Sequence, residues 1–368
     1  MSRDTFALTL VALLAARAPA ADHHVPSGGS IQAAIDAAVD GDRVLVDPGT
    51  FIEHIDLKGK AIQVLGLGGP SATILSGSGS LGPVVTCHTG ETPSTVLRGF
   101  TIQDGWHQPL SQDDGYGAGI SAWVGSPFGG TTTSPTIEDC VIRNNQSILA
   151  PGGGVAGDPV LRRCVLVDNF SSDQDGAAVF GAPTMVHCLV ASNYCFDGDG
   201  GGVAVSGGTA TLSDVTFVEN RTRYGYGGGL AVKTGAHATI TRCRFVRNQA
   251  DFLGIGSVRG GAVYVAAGAT AALDRCTVTE NGGKVPACPG SCPEETGGVY
   301  GPAVLTSCIV RDNVASQVWN VAAVTYSDVE GGHPGIGNFD ADPSFVDAAF
   351  DLHLRPGSPC IDAGDPNT

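Results

Sequence analysis

From Gly227 to Asn248 the chain reads GGGLAVKTGAHATITRCRFVRN. After the glycines, Leu230 and Val232 alternate with small or polar neighbours, which is the two-residue period of a strand. A turn around Gly235 leads to a second strand at Thr239, Ile240 and Thr241, and the unit closes through Cys243 and Phe245 on Asn248. The same pattern recurs as GGGVAVSGGTATLSDVTFVEN from Gly200 to Asn220 and as GGAVYVAAGATAALDRCTVTEN from Gly260 to Asn281. Self-similarity at a near-fixed period predicts a stack of coils in which each repeat is buried by its neighbours.

One position anchors the register. It is filled by Phe100, Cys140, Cys164, Cys188, Val215, Cys243, Cys276, Cys308 and Ser327, at spacings of 40, 24, 24, 27, 28, 33, 32 and 19 residues. A base coil of about 24 residues with insertions accounts for all but the first and last. Five residues further on stand Gly105, Asn145, Asn169, Asn193, Asn220, Asn248, Asn281, Asn313 and Gly332. All tolerate a left-handed backbone, so this position is expected to turn the chain. The extra length is expected between this turn and the following glycines. No helix-length periodicity interrupts residues 96–330, which argues against alternating β-α units. The coil length is too short for a propeller blade, which needs four strands. A parallel β-helix fits.

The N-terminal block differs. Ser30 followed by Ile31, Ala34, Ile35, Ala38 and Val39 predicts a short amphipathic helix with Ser30 as its N-cap. After it, Phe51, Ile55, Leu57, Ile62 and Val64 alternate inward. Ahead of it, Arg3, the apolar run Thr5 to Ala16 and Ala18-Pro19-Ala20 read as a secretory leader cleaved before Ala21. No other apolar run is long enough for a membrane helix. The chain divides into 1–20 leader, 21–95 N-terminal cap and first coils, 96–332 repeats and 333–368 closing segment.

Composition limits the partners. The formal charge is -16, from 20 basic and 36 acidic residues, so a phosphate backbone is repelled and nucleic acid is not an expected partner. Eleven cysteines suit an oxidising compartment. Cys288 and Cys292, close together in a Pro/Gly-rich insertion, are the expected disulfide. The cysteines of the repeat position read either as a metal or disulfide ladder or as stacked small hydrophobes. Val215 and Phe100 in the same position favour the second reading, and thiols on one line form no tetrahedral site. Asn145, Asn169 and Asn220 sit in N-x-S/T sequons, but their repeated place favours side chains bonding the neighbouring coil.

The block SIQAAIDAAVDGDRVLVDPGTFIEHIDLKGKAIQVLG resembles the opening of right-handed parallel β-helix proteins of the pectin-lyase-like superfamily, in which a helix plugs the first coil. Gly260-Gly261-Ala262-Val263, with Phe217-Val218-Glu219-Asn220 and Phe245-Val246-Arg247-Asn248, resembles the GGA(I/L/V) and FxxN repeats of chlamydial-type polymorphic outer-membrane proteins, over roughly residues 96–330. That family's C-terminal membrane barrel has no counterpart here, so autotransport is not implied. The tail DADPSFVDAAFDLHLRPGSPCID resembles the closing segment of secreted, surface-anchored bacterial β-helix proteins. The resemblance implies an exported protein of the bacterial outer surface. Of the hydrolase motifs of the superfamily, only Gln112-Asp113-Asp114-Gly115 has a counterpart.

The variable loops carry the candidate chemistry. The segments FSSDQD, YCFDGD and RTRYGY precede Gly176, Gly200 and Gly227 and place Asp173 over Asp197 and Asp175 over Asp199. Four carboxylates so placed repel unless a cation lies among them, which predicts a Ca²⁺ site. Arg221, Arg223, Tyr224 and Tyr226, with Asp113 and Asp114, are the expected ligand-binding residues of a glycan groove. The expected function is that of a monomeric, exported surface protein acting in binding or adhesion to a polysaccharide or cell-surface glycan. The alternative is a polysaccharide lyase or glycoside hydrolase acting on acidic polysaccharide, with Asp197 and Arg223 as catalytic candidates.

Overall fold

The computed structural model describes residues 19–108, 116–124, 131–251, 259–283, 296–347 and 351–367. Its strands stack in register into long parallel sheets, so the chain is a parallel β-helix. Within one coil the chain visits four sheets in turn, for example Val160–Arg162, Val165–Val167, Phe170–Ser171 and Val179–Gly181. We call these sheets I to IV; they hold 12, 11, 6 and 10 strands. Aliphatic residues from every sheet fill one continuous interior column, with Leu161, Leu166 and Val179 as the contribution of this coil.

The repeat position stacks as expected. The strand after it pairs in register through Val141, Val165, Leu189, Thr216, Arg244, Thr277, Ile309 and Asp328. The six cysteines of that position are buried and free, as small hydrophobes. Each thiol donates to a carbonyl of the preceding coil, as Cys164 does to Ile137 at 3.3 Å. Burial pushes the Cys140 thiol up to about 12, far from the thiolate that a metal needs. Cys288 and Cys292 lie outside the described residues.

The asparagines form a buried ladder. Each Nδ2 donates to the Oδ1 of the next rung, from Asn145 through Asn169, Asn193, Asn220, Asn248 and Asn281 to Asn313, at 2.9–3.0 Å. Each Oδ1 also accepts the backbone N–H of the rung before it, and Nδ2 reaches back to a sheet II carbonyl, Leu166 in the case of Asn193. All sit in the interior, so the sequons at Asn145, Asn169 and Asn220 are closed to a glycosylating enzyme. After Asn313 the next oxygen comes from Gln317 Oε1, 2.7 Å from Nδ2, and not from a residue at the position of Gly332.

Two expectations are corrected. The left-handed residue is the one before each asparagine (Asn144, Asp168, Ser192, Glu219, Arg247, Glu280, Asp312), and a second precedes each repeat position (Asp139, Arg163, His187, Asp214, Arg242, Arg275, Ser307). Two corners per coil therefore turn on left-handed residues, leaving the asparagine free to bond along the stack. The added length also falls in two places, not one. The loops before Gly176, Gly200 and Gly227 are equal, and the coils through Thr209–Ser213 and His237–Thr241 grow between sheets IV and I, where three-residue strands become five.

The N-terminal end is closed. The helix Ile31–Ala37 buries Ile31 and Ile35 over the first coil, and Ser30 Oγ caps it by accepting from Ala33 N. Glu53 accepts from Ile31 N at 2.6 Å, and Lys60 Nζ donates to the carbonyls of Ile35, Asp36 and Ala38. A carboxylate at the helix start and an ammonium at its end both match the helix dipole. Beyond the last coil the hairpin Phe345–Asp347 and Asp351–Leu354 lies beside earlier coils, Leu354 lining a cavity with Arg275 and Ser307, and Arg311 bridges Asp328 and Asp340. No helix among the described residues is long and apolar enough to cross a membrane.

Candidate functional site

Sheet III builds the loop flank from two-residue strands whose first residue faces out and whose second is buried. The outward residues stand in register as Trp106, Gln146, Phe170, Tyr194, Arg221 and Gln249. Their partners His107, Ser147, Ser171, Cys195, Thr222 and Ala250 fill the inside. Successive rungs are ~4.8 Å apart, so the outward row is a strip of rings and amides along the stack. The Phe170 and Tyr194 rings lie 5.7 Å apart, and the Arg221 guanidinium sits 5.8 Å over the Tyr194 ring. Arg221 Nε donates to buried Asp251 at 2.6 Å, which fixes the guanidinium in place.

A second rank flanks the strip. Phe196 packs edge-on to Tyr194 and Tyr224, and Arg223 lies 5.1 Å from the Phe196 ring and 5.4 Å from that of Tyr224. The Arg223 Nε is shielded from solvent and has no hydrogen-bond partner. Tyr226 turns the other way, onto the outer face of sheet IV, where it meets Tyr264 at 4.9 Å, and Tyr264 meets Tyr300 at 5.7 Å. Arg259 lies over both Tyr226 and Tyr300, beside a cavity of about 430 Å³ lined also by Asn320 and Val321.

The expected cation site resolves differently. Asp175 and Asp199 do stand on neighbouring coils, but the charge between them is the Lys233 ammonium, 3.1 Å from Asp175 and 2.5 Å from Asp199. Their other oxygens accept backbone N–H groups, of Asp199 at 2.7 Å and Tyr226 at 2.8 Å. Burial raises the Asp175 pKa, and the two aspartates raise that of Lys233 against a desolvation that lowers it. Lys233 directly follows the sheet IV strand Leu230–Val232, whose Ala231 pairs with Ala204 of the coil that carries Asp199. Asp173 and Asp197 point to solvent, Asp173 accepting from Ser172 Oγ. Among the described residues no group of three or more His, Cys, Asp or Glu side chains gathers as metal ligands. The four aspartates therefore do not form one cluster.

Of the expected ligand-binding residues, Arg221, Arg223 and Tyr224 come together; Tyr226 joins a separate tyrosine group; Asp113 and Asp114 lie outside the described residues. The catalytic candidates do not form a pair with a base: a guanidinium stays protonated, and that of Arg223 is laid between two rings. Sequence reasoning missed Trp106, Phe170, Tyr194 and Lys233. The residue following each ladder asparagine carries the signal, because that offset gives the outward position of sheet III.

The model of the family described as "Right handed beta helix region" matches residues 128–331, more than half the chain. The chain belongs to the right-handed β-helix family. No curated protein matches this β-helix. Among solved structures it is similar to the catalytic unit of thermostable GH87 α-1,3-glucanase from Streptomyces thermodiastaticus strain HF3-3, with 14% identity, 89% of this chain and 70% of that chain covered, and a TM-score of 0.35. At that level the likeness carries no argument about activity.

Proposed function

We propose that this β-helix is an exported surface protein that binds a glycan chain along sheet III. The observation that carries the reading is the outward row Trp106, Gln146, Phe170, Tyr194, Arg221 and Gln249. Rings supply the apolar, amphipathic surface on which the C–H face of a sugar packs. Gln146, Gln249 and the oriented guanidinium of Arg221 supply hydrogen bonds to hydroxyls or a carboxylate. A row that runs along the stack suits a linear polymer lying across several coils. Adhesion is the use we infer for such a strip on an exported protein, with the leader-like N-terminus as support.

The test is calorimetry of the purified protein against neutral and uronate-containing oligosaccharides, with Trp106→Ala and Tyr194→Ala as variants. Binding that each variant weakens at least tenfold, with an unchanged melting temperature, is the expected result. Binding that survives both substitutions refutes the site. New reducing ends or unsaturated uronate products in the same mixtures would establish the enzyme instead.

A further inference from the structure

We propose that removal of the leader between Ala20 and Ala21 seats the new N-terminal ammonium of Ala21 on Asp42 and so locks the first coil. Ala21 directly precedes the first strand of the stack, Asp22–Val25. Its carbonyl accepts from Arg43 N at 2.9 Å, and its own nitrogen donates to Asp42 Oδ1 at 2.8 Å. Strand Asp22–Val25 then follows in parallel register with Arg43–Val46. Pro19 and Ala20 are exposed.

Among the described residues Asp42 is a carboxylate that lacks a permanent cation. It is 4% exposed, and its Oδ2 accepts from Val39 N and contacts His23 Nε2, both at 2.9 Å. The other charged groups nearby are committed elsewhere: Arg43 to Asp22, Lys60 to the helix carbonyls, and Asp40 to Ala61 N. Apart from His23, no cationic side chain pairs with Asp42 among the described residues. Cleavage supplies the missing charge. Water adds across the Ala20–Ala21 amide, its hydroxyl going to the Ala20 carbonyl, which leaves as a carboxylate with the leader. The released Ala21 amine takes up a proton and faces Asp42 as an ammonium. The bond, already assisted by the carboxylate charge, becomes an ion pair with charge on both partners. A cut one residue later would remove the donor, and one residue earlier would leave a peptide N–H in its place. Ala18-Pro19-Ala20 presents the small residues that a leader peptidase accepts.

The experiment has two arms, because the proposal rests in part on the export reading. In an exporting host, the mass of the released protein is expected to begin at Ala21; a different start overturns the processing step. The second arm needs no export. The chain is made from Ala21 onward with its initiator methionine removed, and its α-amine is ¹³C-methylated and titrated by NMR. The expected midpoint lies at least about one unit above the ~7.7–8.0 of a free α-amine. It returns to that range in Asp42→Asn and in a chain extended by Gly-Ser ahead of Ala21, the extension serving should Asp42→Asn not fold. An ordinary midpoint in the Ala21 chain, or an equal one in the extended chain, overturns the lock.

Discussion

Replacing Asn193 by alanine tests the ladder at its centre. The side chain makes five bonds. Its Nδ2 donates to Asn220 Oδ1, Leu166 O and Ala191 O, each at 2.9 Å, and its Oδ1 accepts from Asn169 N and Asn169 Nδ2, each at 3.0 Å. Alanine leaves the backbone N–H of Asn169 without its bond, in a site closed to solvent, whereas the Leu166 carbonyl keeps its place in the sheet II ladder. The stranded N–H costs ~1–3 kcal/mol, and the two severed rung-to-rung bonds, to Asn169 Nδ2 and Asn220 Oδ1, add ~0.5–1.5 kcal/mol each, a loss of ~2–6 kcal/mol. The first rung provides the internal comparison. Asn145 Oδ1 accepts from Gly105 N and has no asparagine rung before it, so Asn145→Ala severs one rung-to-rung bond where Asn193→Ala severs two, and is expected to cost less. Because stability in a solenoid is transmitted between neighbouring coils, hydrogen exchange should rise first in the coils carrying Asn169 and Asn220. Urea unfolding of both variants measures the difference through the midpoint at constant slope. A loss below ~1 kcal/mol for Asn193→Ala, or equal losses at both rungs, would refute the argument that the ladder is held by mutual satisfaction of its rungs.

Three further outcomes follow from the charged groups. Asp175 has a folded pKa raised above its unfolded value, so its contribution to stability is present at low pH and falls as pH rises through that window; Lys233→Met should enlarge the shift, giving a variant whose melting temperature is depressed at pH 7 and recovers on acidification. A melting temperature for Lys233→Met that is unchanged at pH 7 would sink this reading. Because the Lys233 ammonium already bridges Asp175 and Asp199, a chelator should leave the wild-type melting temperature unchanged; a clear rise on adding Ca²⁺ would contradict it. Finally, backbone N–H groups of Val39 and Ala21 hold Asp42, and the Arg242 guanidinium holds Asp214, at a pKa of about 2. Depressed carboxylates stabilise above their unfolded pKa and lose that contribution as pH falls, so stability should decline between pH ~4 and ~2, less steeply in Asp42→Asn.

The interior was legible in the sequence because its rules are local and repeated. The cysteine position, the asparagine position and the aliphatic alternation recur at fixed offsets, and each offset has one physical meaning in every coil. The glycine cluster belongs to the same set. Gly200 has a φ of +71°, and a Cβ on Gly202 would lie 2.5 Å from the Gly229 carbonyl, so the backbone of one coil rests directly on the next. The left-handed corners were misplaced by one residue because asparagine, the residue type most tolerant of that backbone, stands beside the position and is used for its side chain instead. Asn144, Asp168 and Glu219 take the strained conformation at about 1 kcal/mol each, and the stack offsets it.

The flank was less legible because its residues are set by contacts between coils whose insertions differ. Lys233 lies 34 residues from Asp199, on the following coil, a contact that no spacing within one coil announces. The same geometry explains why recognition can vary here at little cost to the fold. Outward residues on sheet III meet the asparagine ladder through backbone N–H groups, as Tyr194 N does on Asn169 O at 2.9 Å, while their side chains turn away from it: Tyr194 and Arg221 face out on strands whose other residues, Cys195 and Thr222, are buried. Substituting Tyr194 therefore changes the surface without disturbing the rung at Asn193. Loss of glycan binding in Tyr194→Ala at native stability, beside loss of stability in Asn193→Ala, would show that adjacent residues divide recognition from folding.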